Sequence, residues 1–149
     1  MKRCAKTAIA WIGVVVCVCV LASCRHAPDE AQIRASIAAV AKAAQAADAG
    51  RVVAPLSKDF DGNGGELDRS ALGNMVRLLR LRDEHIGVTM GPVTIEHRGE
   101  RMVSTFVVTL TSTGQRLLPD RLGLYRVEAA WRRERGAWRC YSARWKRSL

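Results

Sequence analysis

The side chains of this sequence that could carry acid–base chemistry are few. The densest cluster is Asp83-Glu84-His85, where two carboxylates and an imidazole could form a general acid–base pair or hold a metal. The cluster follows a stretch of helical periodicity, so we interpret it as a solvated helix end. Tyr125 and Glu128 fall in a predicted strand, where a half-buried tyrosine and a cross-strand ion pair are simpler interpretations. We therefore predict no catalytic residue.

A second candidate site is the segment Asp59–Gly64, which matches the first half of an EF-hand calcium loop. Alternate oxygen ligands around a sharp glycine turn would suit calcium. The second half departs from the pattern, because Glu66 replaces an apolar residue and Ser70 replaces the bidentate glutamate. A plain Gly- and Asx-rich surface loop over Ser57–Glu66 explains the same residues. We expect no metal and no cofactor, and calcium at Asp59, Asp61 and Asn63 stays open as a hypothesis.

Residues 1–23 have the three parts of an export signal: a basic start, an apolar run from Ile9 to Leu21, and small residues at a cleavage point. The apolar run is short for a bilayer span. Leu21-Ala22-Ser23-Cys24 resembles the lipobox of bacterial lipoproteins. That resemblance implies a diacylglyceryl group on the Cys24 thiol, cleavage before Cys24 and acylation of the new amine. The alternatives are an ordinary signal peptide or an uncleaved anchor.

The lipobox resemblance divides the chain into a signal peptide (1–23), a lipidated tether (24–28) and one domain (29–149). Of the five cysteines, Cys140 alone would keep a free thiol, and we interpret it as a small core residue. Cleavage removes three basic residues and lowers the formal net charge from +10 to about +7. Export makes a nucleic-acid partner unsuitable, whereas anionic lipid or an acidic envelope partner fits. Arg25 is not the Asp that resembles an inner-membrane retention signal, so we predict the periplasmic side of the outer membrane.

The periodicity of the mature chain predicts helices first and strands afterwards. Asp29 and Asp68 are placed to cap two helices whose apolar residues recur at three- and four-residue steps. From His85 onward the period is two, with a break at Gly91-Pro92 and a tight hairpin at Arg135-Gly136. Both rows of the strand Met102–Leu110 are β-favouring, which indicates a central strand. The predicted fold class is α+β, with N-terminal helices packed on a curved antiparallel sheet of about four strands.

The element order and the final hairpin, W-x-x-x-x-G-x-W-x-x-x-x-A-x-W over Trp131–Trp145, resemble the nuclear transport factor 2-like (NTF2-like) superfamily. SnoaL-like cyclases and ketosteroid isomerase belong to that superfamily. The resemblance implies a cone-shaped sheet that wraps around helices and can enclose a pocket. Catalytic members place Asp, His or Tyr inside the pocket. Here the inward row consists of residues unsuited to proton transfer: Met102, Phe106, Val108, Val127 and Trp131.

These features together predict a membrane-anchored binding or assembly module that is not an enzyme. The alternative is a small-molecule pocket enzyme of the cyclase or isomerase type. The predicted partners are the membrane, through the lipid anchor, and a protein partner or a second copy through the sheet face. Three C-terminal cations are candidate membrane or partner contacts, since cations beside an aromatic can rest on an anionic surface: Arg144, Lys146 and Arg147.

Overall fold

In the computed structural model, residues 28–112 and 123–148 form three helices and seven strands. The helices are α1 (Asp29–Gln45), α2 (Ala49–Val53) and α3 (Arg69–Leu81). The strands are β1 (Leu56–Gly62), β2 (Leu67–Asp68), β3 (Ile86–Met90), β4 (Thr94–Arg98), β5 (Arg101–Ser112), β6 (Gly123–Glu134) and β7 (Ala137–Arg147).

The strands form one mixed sheet in the order β2-β1-β7-β6-β5-β3, and β4 also pairs with β5. Strands β3 and β4 lie end to end along the same edge of β5. The predicted break between them falls at Gly91, whose backbone N–H donates a hydrogen bond to the Val107 carbonyl oxygen of β5 at 2.8 Å. Strand β5 is central, as predicted. The predicted fold class, helices on a curved sheet, is confirmed. The sheet has seven strands rather than about four, and it is mixed rather than antiparallel because β1 runs parallel to β7.

The prediction of a surface loop over Ser57–Glu66 is wrong for its first half. Leu56–Gly62 is strand β1, which runs parallel to β7 and buries Phe60 in the core. Gly and Asx residues disfavour strands locally, but the last strand supplies hydrogen-bond partners for this backbone, for example Cys140 N to Pro55 O (2.9 Å). A Cβ at Gly62 would lie 2.7 Å from the Leu67 carbonyl oxygen, so the close approach of β1 and β2 requires glycine.

Two predicted features of the chain's local geometry are confirmed and one is wrong. Asp68 caps α3, because its Oδ1 accepts a hydrogen bond from Ala71 N at 2.7 Å. The β6–β7 hairpin turns at Arg135 and Gly136, whose positive φ angles of 50° and 84° suit a two-residue turn. Asp29 is not a cap. It is the first residue of α1, and its carboxylate accepts from the Arg133 guanidinium of β6 instead.

All three described helices pack on one face of the sheet, called the inner face. Its main core joins α1 to β1, β5, β6 and β7 through seven buried residues: Ile33, Ile37, Phe60, Met102, Ala129, Trp131 and Cys140. A smaller core joins the three helices through Ala43, Ala49, Val52 and Val76. Directly opposite residues of paired strands share a face, so the register defines the outer face as well. Its residues include Val103, Thr105, Val107, Thr109, Arg126, Glu128, Ala130, Ser142, Arg144 and Lys146.

Candidate functional site

The buried polar groups of the inner face satisfy one another. Trp131 is 3 % exposed, and its Nε1 donates a hydrogen bond to Oγ of the fully buried Ser104 at 2.9 Å. The Ser104 hydroxyl lies 3.4 Å from the Ala129 carbonyl oxygen, to which it donates. Neither group is available for proton transfer to a ligand. The pair therefore holds β5 and β6 in register.

The Cys140 thiol is also part of the core. Burial raises its pKa to about 12, so the thiol stays protonated at neutral pH and is a poor nucleophile. Its Sγ lies 3.4 Å from the Ser142 carbonyl oxygen. This placement agrees with the interpretation of Cys140 as a core residue.

The interpretation of Asp83-Glu84-His85 as a solvated helix end is wrong for its middle residue. Asp83 and His85 are exposed, but Glu84 is only 8 % exposed. Asp83 takes a left-handed conformation (φ 51°) after α3, and Glu84 N bonds to the Leu79 carbonyl oxygen at 3.0 Å. In the described ranges no hydrogen bond or ion pair engages the Glu84 carboxylate. Periodicity missed this residue because it lies between a helix and a strand.

The geometry does not support a calcium site at the EF-hand-like segment. The Asp59 carboxylate pairs with Arg132 at 2.6 Å, and Asp61 Oδ1 accepts from Gly65 N at 2.5 Å. Asn63 Oδ1 accepts from the backbone N–H of Trp145 at 2.8 Å. The three side chains thus have separate structural partners. Among residues 28–112 and 123–148, no three His, Cys, Asp or Glu side chains converge to hold a metal.

A groove of about 540 Å³ lies between α1, the α1–α2 turn and the start of β7. Alanines and the ring of Trp138 line it, and Lys42, Arg51 and Arg139 lie around it. Arg51 pairs with a neighbouring carboxylate (3.4 Å) and Arg139 donates to a backbone carbonyl, so both are engaged within the fold. The Trp138 Nε1 is buried and finds no hydrogen-bond partner within the described chain, while the Arg133 guanidinium lies 5.2 Å from its ring centre.

A second groove, of about 290 Å³, lies on the outer face and is called the outer groove. Its floor is a row of small side chains on three adjacent strands, Val103, Ala130 and Ser142. Longer side chains form the two ends: Arg98, Arg101 and Tyr141 at one, Glu128 and Arg144 at the other. The two ends lie four residue steps apart on β5, from Arg101 to Thr105 opposite Glu128, a distance of about 13 Å.

A chain of side-chain contacts fixes the first end of the outer groove. Arg101 Nη1 donates to the Tyr141 hydroxyl at 3.2 Å, and the Arg132 guanidinium lies 5.1 Å from the Tyr141 ring centre. Arg132 is in turn held by Asp59 (2.6 Å) and Glu134 (2.7 Å). Tyr141 reaches this position because a bulge leaves it out of the pairing between β6 and β7.

The Asp59–Arg132 pair predicts a pH-dependent stability. Hydrogen bonds from Arg132 and from the Ser57 hydroxyl lower the pKa of Asp59 from 3.8 to about 2. The pair therefore stabilises the fold above pH 3.8, and this contribution is lost as the pH falls toward 2. We expect Asp59→Asn to lower the urea midpoint at neutral pH, with the difference from wild type vanishing near pH 2.

Glu100→Gln is the matched control for this series, since Glu100 is an exposed acid in the β4–β5 turn. The difference in urea midpoint between Glu100→Gln and wild type should not change in this way with pH. A difference between Asp59→Asn and wild type that stays constant across the pH range would contradict the ion pair.

The structure separates the three C-terminal cations predicted to contact a membrane or partner. Arg144 and Lys146 lie on the outer face, opposite Glu128 and Arg126, whereas Arg147 is opposite Tyr125 on the inner-face side. All three are exposed. The predicted lipidation site, Cys24, lies outside the described residues. Among the described helices, none is long and apolar enough to cross a membrane.

Comparisons with known proteins give structural neighbours only. No family model matches the sequence, and no curated protein matches it. An NTF2-like protein from Cytophaga hutchinsonii superposes with a TM-score of 0.63 at 13 % identity, over 81 % of this chain and 99 % of that chain. A protein from Novosphingobium aromaticivorans, provisionally named an aromatic ring hydroxylase, gives 0.65 at 14 % identity over 83 % and 93 %.

A third neighbour is an NTF2-like protein from Streptomyces avermitilis that is provisionally named a dehydratase. It superposes with a TM-score of 0.63 at 15 % identity, over 79 % of this chain and 94 % of that chain. The TM-scores establish a shared fold, whereas sequence identities this low leave the activity open. The chain has the NTF2-like fold, which is also described as cystatin-like.

Proposed function

We propose that the protein is a membrane-anchored envelope lipoprotein whose NTF2-like domain is a non-catalytic binding or assembly module. The lipobox-like Leu21–Cys24 supports the anchor, and Arg25 after it favours the periplasmic side of the outer membrane. On the inner face, the Ser104–Trp131 pair is internally satisfied and the Cys140 thiol is protonated. These groups offer no acid, base or nucleophile to a substrate.

The observation that carries the proposal is the uncovered outer face of the sheet. No described helix packs on it, although its central strand presents a stripe of β-branched side chains: Val103, Thr105, Val107 and Thr109. Exposed cations border this stripe, including Arg126, Arg144 and Lys146. A stripe of β-branched side chains with a charged border suits contact with another macromolecule. A protein partner or a second copy of this chain would cover it.

Charge on the stripe tests this surface. We expect Val107→Glu to weaken capture of the partner from solubilised envelopes, or self-association in sedimentation, by about tenfold, because burying a charge in an interface is costly. Arg126 is directly opposite Val107 and can pair with the new carboxylate, so the domain should fold. Gln45→Glu, which adds the same negative charge on the exposed side of α1, is the control. Equal binding by both variants would contradict the proposal.

The membrane contact proposed for the C-terminal cations also belongs to this function. Arg144 and Lys146 share the outer face and could orient the domain toward an anionic surface, whereas Arg147 projects from the other side. Each cation held at an anionic leaflet adds about 1 kcal/mol of attraction. We therefore propose Arg144 and Lys146, but not Arg147, as the contact with the anionic surface.

The alternative function is a small-molecule enzyme of the cyclase or isomerase type. One observation favours it: Glu84 is only 8 % exposed as a residue, yet its carboxylate has no partner among the described residues and reaches the surface, where a ligand could contact it. Two structural neighbours also carry provisional enzyme names. Turnover of a cyclase or isomerase substrate that is lost in Glu84→Gln, while folding is retained, would support the enzyme and contradict the binding module.

A further inference from the structure

We propose that the outer groove binds the phosphate of an anionic lipid headgroup in the leaflet that holds the anchor. This inference rests on the proposed function, because it requires the domain to be tethered at a membrane. It goes further by assigning a site and a ligand chemistry to one part of the outer face.

The charges around the outer groove favour an anion at one end. Arg98 and Arg101 stand together there, and the Arg101 guanidinium bonds to a neutral hydroxyl rather than to a carboxylate. Arg98 has one exposed carboxylate partner, Glu96, at 3.0 Å. At the other end Glu128 is directly opposite Arg144 in the β-ladder and offsets its charge. The phosphate therefore belongs at the Arg98–Arg101 end, where guanidinium N–H groups can bond to its oxygens.

The strand register gives an independent indication of an anionic ligand. Arg98 is directly opposite Arg101, and Arg126 is directly opposite Lys146. Like charges at directly opposite positions destabilise a sheet. In the described chain no ion pair involves Arg101, Arg126 or Lys146. A phosphate in the outer groove would relieve the repulsion between Arg98 and Arg101, whereas Arg126 and Lys146 lie on the same face outside the groove.

The phosphate end of the groove is held in place before any ligand binds. Asp59 and Glu134 hold Arg132, Arg132 lies against the Tyr141 ring, and the Tyr141 hydroxyl holds Arg101. Tyr141 is thus a positioning residue for Arg101. Preorganised side chains lose less conformational entropy on binding. Ser142 lines the floor of the groove and adds a hydroxyl to its lining.

The groove also lies close to the predicted anchor. His97 Nε2 is 3.6 Å from Glu30 Oε1 in the first turn of α1, and the next residue, Arg98, points to the opposite face of the sheet. Strand β4 is an edge strand, so only the sheet edge separates the start of α1 from the groove. The five residues from Cys24 to Asp29 span at most about 18 Å. A headgroup of the anchoring leaflet is therefore within reach of Arg98 and Arg101.

Arginine modification on the full chain tests the site. The lipidated protein is placed in phosphatidylcholine nanodiscs, with or without phosphatidylglycerol, and reacted with phenylglyoxal, and each arginine is followed by mass spectrometry. We expect phosphatidylglycerol to slow the modification of Arg98 and Arg101 about fivefold. Arg77, exposed on α3, is the control and should not change. Tyr141→Phe should remove the protection of Arg101.

A parallel sample in phosphatidylcholine discs receives inorganic phosphate. Protection by inorganic phosphate without protection by phosphatidylglycerol would overturn the headgroup site in favour of free phosphate. If phosphatidylglycerol slows the modification of Arg77 equally, the effect is charge screening only. If no sample protects Arg98 and Arg101, the groove binds neither the headgroup nor inorganic phosphate. Either outcome overturns the proposal. The mass of the Cys24 peptide reports lipidation separately, so a failed anchor is distinguished from an empty groove.

Discussion

Replacing Cys24 by Ser should abolish the lipidated, cleaved product and leave an unlipidated precursor that keeps residues 1–23. The substituted chain has no thiol to receive the diacylglyceryl group, and cleavage before residue 24 should fail with it. The intact mass of the product measures both effects.

Cys19→Ser is the matched control for this experiment. It makes the same chemical change five residues upstream, inside the apolar run, and should leave processing and membrane attachment intact. A Cys24→Ser protein that is still cut after Ser23 and stays in the membrane fraction would contradict the lipobox interpretation. An ordinary signal peptide would instead give a cut, soluble chain for both variants.

Trp131→Ala should unfold the domain or reduce its free energy of unfolding by about 3–5 kcal/mol. Trp131 is 3 % exposed and contributes a whole indole ring to the main core between α1 and the sheet. The surrounding side chains belong to several strands and cannot collapse into the cavity without moving them. Urea unfolding of the mature chain, followed by circular dichroism, measures the loss.

A double-mutant cycle separates the hydrogen bond of Trp131 from its packing. Trp131→Phe keeps much of the ring but leaves the buried Ser104 Oγ without its donor, at a cost of about 1–3 kcal/mol. Adding Ser104→Ala removes the partner as well, so the double variant should lose less free energy of unfolding than the sum of the two single variants. Additive losses would show that the 2.9 Å contact contributes no coupling.

The two faces of the sheet divide the proposed work of the domain. The inner face is used for stability, through the Trp131–Ser104 pair and the packed α1 residues. The outer face is not covered by any described helix and carries the outer groove. Glu128 lies on the outer face, whereas Tyr125 lies on the inner-face side, opposite Val108 and Arg147. Glu128 is directly opposite Arg144 in the ladder, but in the described residues no ion pair joins the two side chains, so the expected cross-strand ion pair is not formed.

Sequence patterns were sufficient for the features that depend on neighbouring residues. The alternation over Met102–Leu110 identified the two faces of β5, and the hairpin residues Arg135-Gly136 identified the last turn. Asp68 was recognised as a helix cap because its bond to Ala71 spans three residues. The export signal and the lipobox-like Leu21–Cys24 stay predictions, because they lie outside the described residues.

Only the tertiary structure decided the features that depend on long-range pairing. Strand β1 exists because β7, some 80 residues later, supplies its hydrogen-bond partners, which no local propensity encodes. The outer groove brings Arg101 to Tyr141 across 40 residues, and a bulge in β7 directs that side chain. The register also decides that Arg144 lies on the outer face, opposite Glu128. A one-residue shift in pairing reverses the face of every side chain that follows, so these positions follow from the assembled sheet and not from sequence spacing.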